Sequence, residues 1–226
     1  MIRGQLSFYR NAQPLGTAFS GLGGRWLVPA ICIGSNRAPE GETRFSAVRV
    51  VPPCVIRFDP ARCNRRILLD GDIGLNRATT TNKWSTAIAD HQGIRRGVLT
   101  FAVRVDVCEG GIAIGVVDAR RFDTAEHNLG TGMGSWALSK SGKKSDGSGW
   151  VPYVARPTIG AGTILGLVLN MNAGTLEFFI DGASLGVAFE DLHMRGVSLT
   201  PALCVGSNTG GSECCATIIP FEGSQR

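Results

Sequence analysis

The 226-residue chain is 43% hydrophobic with a mean hydropathy of +0.10, which supplies a packed core and excludes disorder throughout its length. Thirty-one glycines and ten prolines, without a long helical periodicity, favour short strands joined by turns. The net charge of +5 is concentrated in residues 1–52, which hold six arginines and two glutamates, so the nearly neutral remainder does not indicate a nucleic-acid-binding protein.

Membrane, secreted and metal-binding classes are also disfavoured. No apolar run approaches the roughly 18 residues that a membrane span needs, and the first residues lack the apolar stretch and cleavage site of a secretion signal. The seven cysteines are an odd number without Cys-x-x-Cys or zinc-ligand spacing, and adjacent Cys214 and Cys215 would form a strained mutual disulfide. We therefore expect a cytoplasmic protein with reduced thiols, no cofactor, no metal and no membrane contact.

The first predicted elements belong to an internal repeat. Residues 4–36 and 174–208 share their glycines and apolar positions in order, and both end in Pro-Ala-x-Cys-x-Gly-Ser-Asn. The offset is 170 residues at the start and 172 at the end, which indicates a duplicated structural unit. We interpret residues 1–52 as the final strands of one β-domain, residues 53–220 as a complete second domain, and residues 221–226 as a tail.

A fragment of about 50 residues cannot bury enough surface alone, and its strands would expose unpaired edges. We therefore expect residues 4–52 either to pack on the complete domain or to mediate a homodimer. The alternative is that the sequence is a piece of a longer tandem protein.

Periodicity along the chain predicts antiparallel strands. Residues 6–9, 98–107 and 176–179 alternate between apolar and polar side chains, as half-buried strands do. Residues 112–117 and 164–169 are continuous apolar runs between glycines, as expected of strands buried on both faces. Turns are predicted at Asn11-Ala12 and at Asp181-Gly182, the latter a strong tight-hairpin signal. The predicted fold is all-β, a two-sheet antiparallel sandwich.

Several motifs resemble the SPRY domain family, in the order in which that family has them. They are FAVRVDV at 101–107, IGVV at 114–117, GSWAL at 134–138, GTILG at 162–166, LNMNAGTLEF at 169–178, DG at 181–182, LGVAF at 185–189 and LTPA at 199–202. Upstream, FDP at 58–60 resembles the extension before many SPRY cores. The resemblance covers about residues 53–220, and residues 4–52 match only the family's final strands. It implies a concanavalin-like sandwich that acts as a non-catalytic protein-interaction module, or adaptor, and binds a peptide or protein loop at one end.

The resemblance locates a first candidate binding loop at residues 118–122. Arg120 and Arg121 place two cations beside Phe122, and Arg and aromatic side chains are enriched at binding hot spots. We expect Phe122 to be exposed here; the alternative is a solvated loop whose phenylalanine folds back into the core.

A second candidate loop lies at residues 207–211. Ser207, Asn208 and Thr209 offer short polar side chains that can hydrogen-bond a peptide backbone, although they suit turns equally well. The turn at 71–76 is expected nearby and contributes Asp72. Two tryptophans flank the polar segment 139–149. Trp136 is predicted to be a core residue, whereas Trp150 is assigned neither to the core nor to a binding surface. The lysines at 140–144 are interpreted as a solvated hairpin tip.

Catalysis is not indicated. The three histidines lie in turn-like segments without a nucleophile motif, and no two carboxylates are placed to face each other across a cleft. The alternative to protein recognition is a carbohydrate-binding module on a lectin-like sandwich, with Trp150 or Tyr153 stacking on a sugar. A purely structural segment without a ligand is a third interpretation.

Overall fold

The structure is a computed structural model in which residues 5–10, 13–20, 56–71, 74–81, 83–118 and 120–221 are described. The chain forms two compact units, Met1–Pro52 and Pro53–Arg226. The described part of the first unit is an antiparallel hairpin of β1 (Gln5–Arg10) and β2 (Gln13–Ser20), which confirms the strand predicted at residues 6–9. Its turn at Asn11-Ala12 lies outside the described residues. That this unit is a partial repeat stays a prediction.

The second unit contributes thirteen strands within its described residues. They are β3 (Leu68–Asp70), β4 (Arg77–Thr80), β5 (Ser85–Ile88), β6 (Val98–Cys108), β7 (Gly111–Asp118), β8 (Ser135–Ser139), β9 (Lys143–Ser145), β10 (Val151–Pro152), β11 (Ile164–Asn170), β12 (Thr175–Ile180), β13 (Ala183–Phe189), β14 (Leu199–Gly206) and β15 (Cys214–Ile219). Short 3₁₀ turns occupy Pro60–Arg62 and Leu192–Arg195. No helix in these described ranges is long and apolar enough to span a membrane.

The strands form two antiparallel sheets. One has six strands in the order β10-β9-β8-β7-β14-β5, and the other has seven in the order β13-β12-β11-β6-β15-β4-β3. Apolar side chains from both sheets meet in one core, for example Ile114 and Trp136 from the first and Phe101 and Phe178 from the second. The predicted two-sheet sandwich is confirmed, and so is the core position of Trp136, which is 3% exposed.

Two predicted features of the strands are also confirmed. Within β6, Phe101, Val103 and Val105 are buried whereas Arg104 is exposed, as alternation requires. The residues at the β12–β13 hairpin, Asp181 and Gly182, have φ angles of 48° and 77°. Both lie in the left-handed region, which matches the twist of a tight hairpin.

The central strand β7 is buried on both faces, as its apolar run predicts. Ile112, Ile114 and Val116 point into the core between the sheets, whereas Ala113 and Val117 point to the outer face of the six-stranded sheet. Gly115 lies between these last two on the outer face. The backbone of β8 passes so close that a Cβ atom at Gly115 would overlap the carbonyl oxygen of Trp136.

Gly115→Ala is therefore expected to destabilise the domain by about 1–3 kcal/mol, the usual cost of overpacking a dense interior. The matched control is Gly160→Ala, because a Cβ atom there meets nothing within 4 Å, and its effect should stay within about 0.5 kcal/mol. Urea unfolding followed by tryptophan fluorescence measures both. Equal stability of the two variants would contradict the close approach of β7 and β8.

Candidate functional site

The outer face of the six-stranded sheet carries a second, smaller apolar cluster. Its sheet residues are small or branched: Ile88, Ala113, Val117, Ala137, Ala202 and Cys204. Phe122 and Leu129, from the connection between β7 and β8, pack on them, with Trp84 and Trp150 at the margin. Small side chains on the sheet leave room for the covering aromatic and leucine side chains. The connection is therefore held against the sheet instead of extending into solvent.

Phe122 corrects one expectation from the sequence. Its side chain is 9% exposed and belongs to this cluster, so it is buried rather than presented to solvent. The physical reason is a tight turn, in which the Phe122 backbone N–H donates to the Asp118 carbonyl at 3.0 Å and directs the chain back over the sheet. Its ring then covers the apolar surface that the small residues leave open.

A cavity of about 470 Å³ opens on the same outer face. Apolar atoms come from Trp84, Trp150, Leu129, Ala113 and Cys204. The polar lining residues are Asn128, Thr131, Ser139, Ser141, Lys143 and Asn208. We call this cavity the tryptophan pocket. An apolar floor with a few polar groups around it is the usual composition of a binding pocket.

Trp84 is fixed at one side of the tryptophan pocket by contacts of two kinds. Its indole Nε1 donates to Oδ1 of Asn208 at 2.9 Å. Its ring lies directly over Gly111, where a Cβ atom would overlap the indole. Asn208, which sequence analysis proposed as a binding residue, therefore lines the pocket and orients one of its aromatic walls.

Trp150 forms the other aromatic wall. Its ring packs on Gly130, whose φ of 84° and lack of a side chain allow the approach. Gly130 is in turn held by Ser135 and Ser145, whose hydroxyl groups bond its N–H and carbonyl at 3.1 and 2.7 Å. Sequence patterns did not decide whether Trp150 is a core residue or a binding residue. In the structure it is partly buried against the second cluster and also lines the pocket.

The structure does not bring the two predicted loops together. Strand β7 pairs antiparallel with β14, so Asp118 lies opposite Leu199 and Gly111 lies opposite Gly206. The loop after β7 and the loop after β14 are therefore at opposite ends of the sheet, about 23 Å apart for seven residues at about 3.3 Å each. The expectation of one site that includes both loops is wrong, because each loop follows one of two antiparallel neighbours.

At the far end, the two arginines surround a buried carboxylate. The Asp118 side chain is 1% exposed, and its oxygens lie 3.9 Å from Nε of Arg120 and 3.6 Å from Nε of Arg121. Arg120 also donates to the Gly196 carbonyl at 3.2 Å. The cations offset the charge of Asp118, while the Arg121 side chain remains 75% exposed. Their role in partner contact stays a prediction.

The remaining predicted site residues are placed as follows. Ser207 accepts the Gly210 N–H at 2.9 Å through its hydroxyl and so acts as a turn residue, and Thr209 is exposed beside it. Asp72 lies outside the described residues. The lysine-rich segment differs from the solvated tip predicted from the sequence. Lys144 donates to the Ala188 carbonyl and stacks on Tyr153 and Phe189, whereas Lys143 is exposed at the pocket.

Sequence analysis missed most of the pocket. Trp84, Asn128, Thr131 and Ser141 come from three separate segments that converge only when the sheet forms. The glycine-rich stretch 130–134 also forms part of the site. Its glycines allow close packing of Trp150 and, at Gly132, of His127.

Comparisons with known proteins agree with this architecture. Residues 98–219 match the SPRY domain family. The SPRY domain of human HERC1 superposes with a TM-score of 0.59 at 19% identity, covering 73% of this chain and 98% of that domain. The PSpry domain of TRIM65 gives a TM-score of 0.54 at 15% identity, covering 74% and 92%. Stonustoxin gives 0.57 at 18% identity, covering 74% of this chain and 29% of the toxin chain. No curated protein matches significantly.

Removing the Asn208 side chain should loosen Trp84 without unfolding the domain. In Asn208→Ala the Trp84 indole N–H loses its acceptor. Exchange of that proton with solvent should become about fivefold faster, because a hydrogen bond worth about 1 kcal/mol is lost. Proton–nitrogen spectra of the indole groups, assigned with Trp84→Phe, measure the rate. Thr209→Ala, a change at the adjacent exposed residue, is the control and should leave it unchanged. Equal rates in the two variants would contradict the contact.

Proposed function

This chain belongs to the SPRY domain family, whose members are generally protein-interaction modules, and we propose that it binds a peptide or protein loop in the tryptophan pocket. The observation that supports this proposal most strongly is the pair of partly exposed indoles, Trp84 and Trp150, that line one cavity. Tryptophan is enriched at binding hot spots because it buries a large apolar area and loses little side-chain entropy.

The chemistry of the lining favours a ligand of a particular kind. The floor formed by Ala113, Leu129 and Cys204 suits one apolar or aromatic side chain of the ligand. Asn128, Thr131 and Asn208 stand around it with amide and hydroxyl groups that match the N–H and C=O groups of a peptide backbone. Lys143 is the one charged lining residue among those described, so a neutral or acidic peptide fits better than a basic one.

The carbohydrate alternative is less well supported. Tyr153, one of its two proposed stacking residues, has its hydroxyl bonded to the Leu185 carbonyl at 2.9 Å and its ring occupied by Lys144 and Phe178. A sugar would have to displace these contacts. Trp150 remains available to a ligand of either class, but the family favours protein.

Selection of a displayed random-peptide library on immobilised full-length protein tests the proposal. The selected peptides should be neutral or acidic with an apolar anchor. Ser141→Glu places a longer, negatively charged side chain at an exposed lining position of the pocket, where it narrows the cavity and repels acidic ligands, and it should weaken binding of a selected peptide at least tenfold, as measured by calorimetry. Arg121→Ala, at the opposite end of the sheet, is the matched control and should change the affinity less than twofold.

The reverse pattern, with loss of binding in Arg121→Ala and none in Ser141→Glu, would move the site to the loop at 118–122. Failure to select any peptide, combined with binding on a glycan array, would overturn the proposal in favour of carbohydrate recognition. Circular dichroism of both variants confirms that folding is retained.

A further inference from the structure

Two cysteine thiols face each other where β6 ends and β15 begins. Cys108 and Cys214 are directly opposite in the strand register. At the next position outward, the Glu109 N–H donates to the Glu213 carbonyl at 3.0 Å. Because hydrogen-bonded and non-hydrogen-bonded pairs alternate, the cysteines form a non-hydrogen-bonded pair with Cα atoms about 4.5 Å apart. That separation is within the roughly 4.4–6.8 Å range that disulfides span.

The two side chains lie on the same side of the sheet. Cys214 belongs to the core cluster, and Cys108 is half-buried and packs against it. The adjacent Cys215 points to the other side, where Arg77 Nε and Thr79 Oγ1 donate to its sulfur at 2.8 and 3.1 Å. Because side chains alternate along β15, Cys214 faces the same side of the sheet as Cys108, whereas Cys215 faces the opposite side.

The surroundings stabilise one negative charge on the pair. The Gly110 N–H donates to Sγ of Cys214 at 3.3 Å. Lys140 Nζ lies 3.3 Å from Sγ of Cys108, held there by the carbonyls of Cys108 and Gly110 at 3.1 and 3.2 Å. Interaction with Cys108 lowers the pKa of Cys214 to about 6, and the pKa of Cys108 is raised. One proton of the pair is therefore lost more readily than from an isolated thiol, which favours the thiolate, the reactive form of cysteine.

We propose that Cys108 and Cys214 are a redox modification site, at which a cellular disulfide such as oxidised glutathione converts the two thiols into a reversible cross-strand disulfide. Among the described cysteines, this is the one pair that the register places opposite each other. The inference does not depend on what the tryptophan pocket binds.

The chemistry balances in two exchange steps. The Lys140 ammonium favours loss of the proton from half-exposed Cys108, which leaves a thiolate there while Cys214 keeps its proton. This thiolate attacks one sulfur of oxidised glutathione, forms a mixed disulfide and releases a glutathione thiolate, which takes the proton of Cys214. Cys214 then attacks the Cys108 sulfur, and the second glutathione leaves and is protonated by solvent. Two protein thiols are oxidised, and one oxidised glutathione becomes two reduced molecules.

Thiol mapping of the full chain tests the proposal. Reduced protein is incubated in glutathione buffers of increasing oxidised fraction, quenched with acid, alkylated and analysed by peptide mass spectrometry. The expected result is a cross-linked species, lighter by two hydrogens, that joins the Cys108 peptide to Cys214 and disappears on reduction. Cys215→Ser should still form it, whereas Cys108→Ser should not. Lys140→Gln should form it several-fold more slowly.

Complete alkylation of both Cys108 and Cys214 in the wild-type protein at the most oxidised buffer would overturn the proposal. So would a cross-link that persists in Cys108→Ser, or one that joins Cys214 to Cys215. The wild-type map decides between these outcomes without any variant, so a variant that fails to fold does not affect the test.

Discussion

The candidate site depends on the small side chains that β7 and its neighbouring strands β8 and β14 place on the outer face of the sheet. Gly111, Ala113 and Gly115 alternate along β7 with the large residues that fill the core. This asymmetry lets β8 approach closely, gives the Trp84 ring a place to lie and leaves a shallow depression across the sheet. A strand with larger residues at these three positions would form the same sandwich core, but its outer face would be filled and would offer no pocket.

The connection between β7 and β8 completes the pocket because its side chains pack on this apolar outer face of the sheet. Phe122 and Leu129 bury themselves on it, and the Leu129 N–H donates to the Thr86 hydroxyl at 2.9 Å, which ties the connection to β5. The tryptophans then occupy the margin, one held by Asn208 and the other by Gly130. Stability and recognition thus use the same surface: the part that is covered stabilises the fold, and the part left open between the indoles is available to a ligand.

Sequence periodicity predicted the fold well because strand alternation and turn chemistry are local. The alternation in β6 and the Asp181-Gly182 hairpin needed no knowledge of distant residues. The site was predicted less well because it depends on register. Asn208 was identified from its loop, but the separation of that loop from Arg120 and Arg121 follows from the antiparallel pairing of β7 with β14. The burial of Phe122 depends on small or branched residues in four strands, which no pattern around residue 122 reveals.

Ligand recognition in the tryptophan pocket can be tested most directly by a proton–nitrogen NMR titration of the full chain with a library-selected peptide, observing the indole and backbone signals together. We expect the largest chemical-shift changes at the Trp84 and Trp150 indoles and at Asn208. Changes concentrated at Arg120 and Arg121, with both indoles unperturbed, would contradict it.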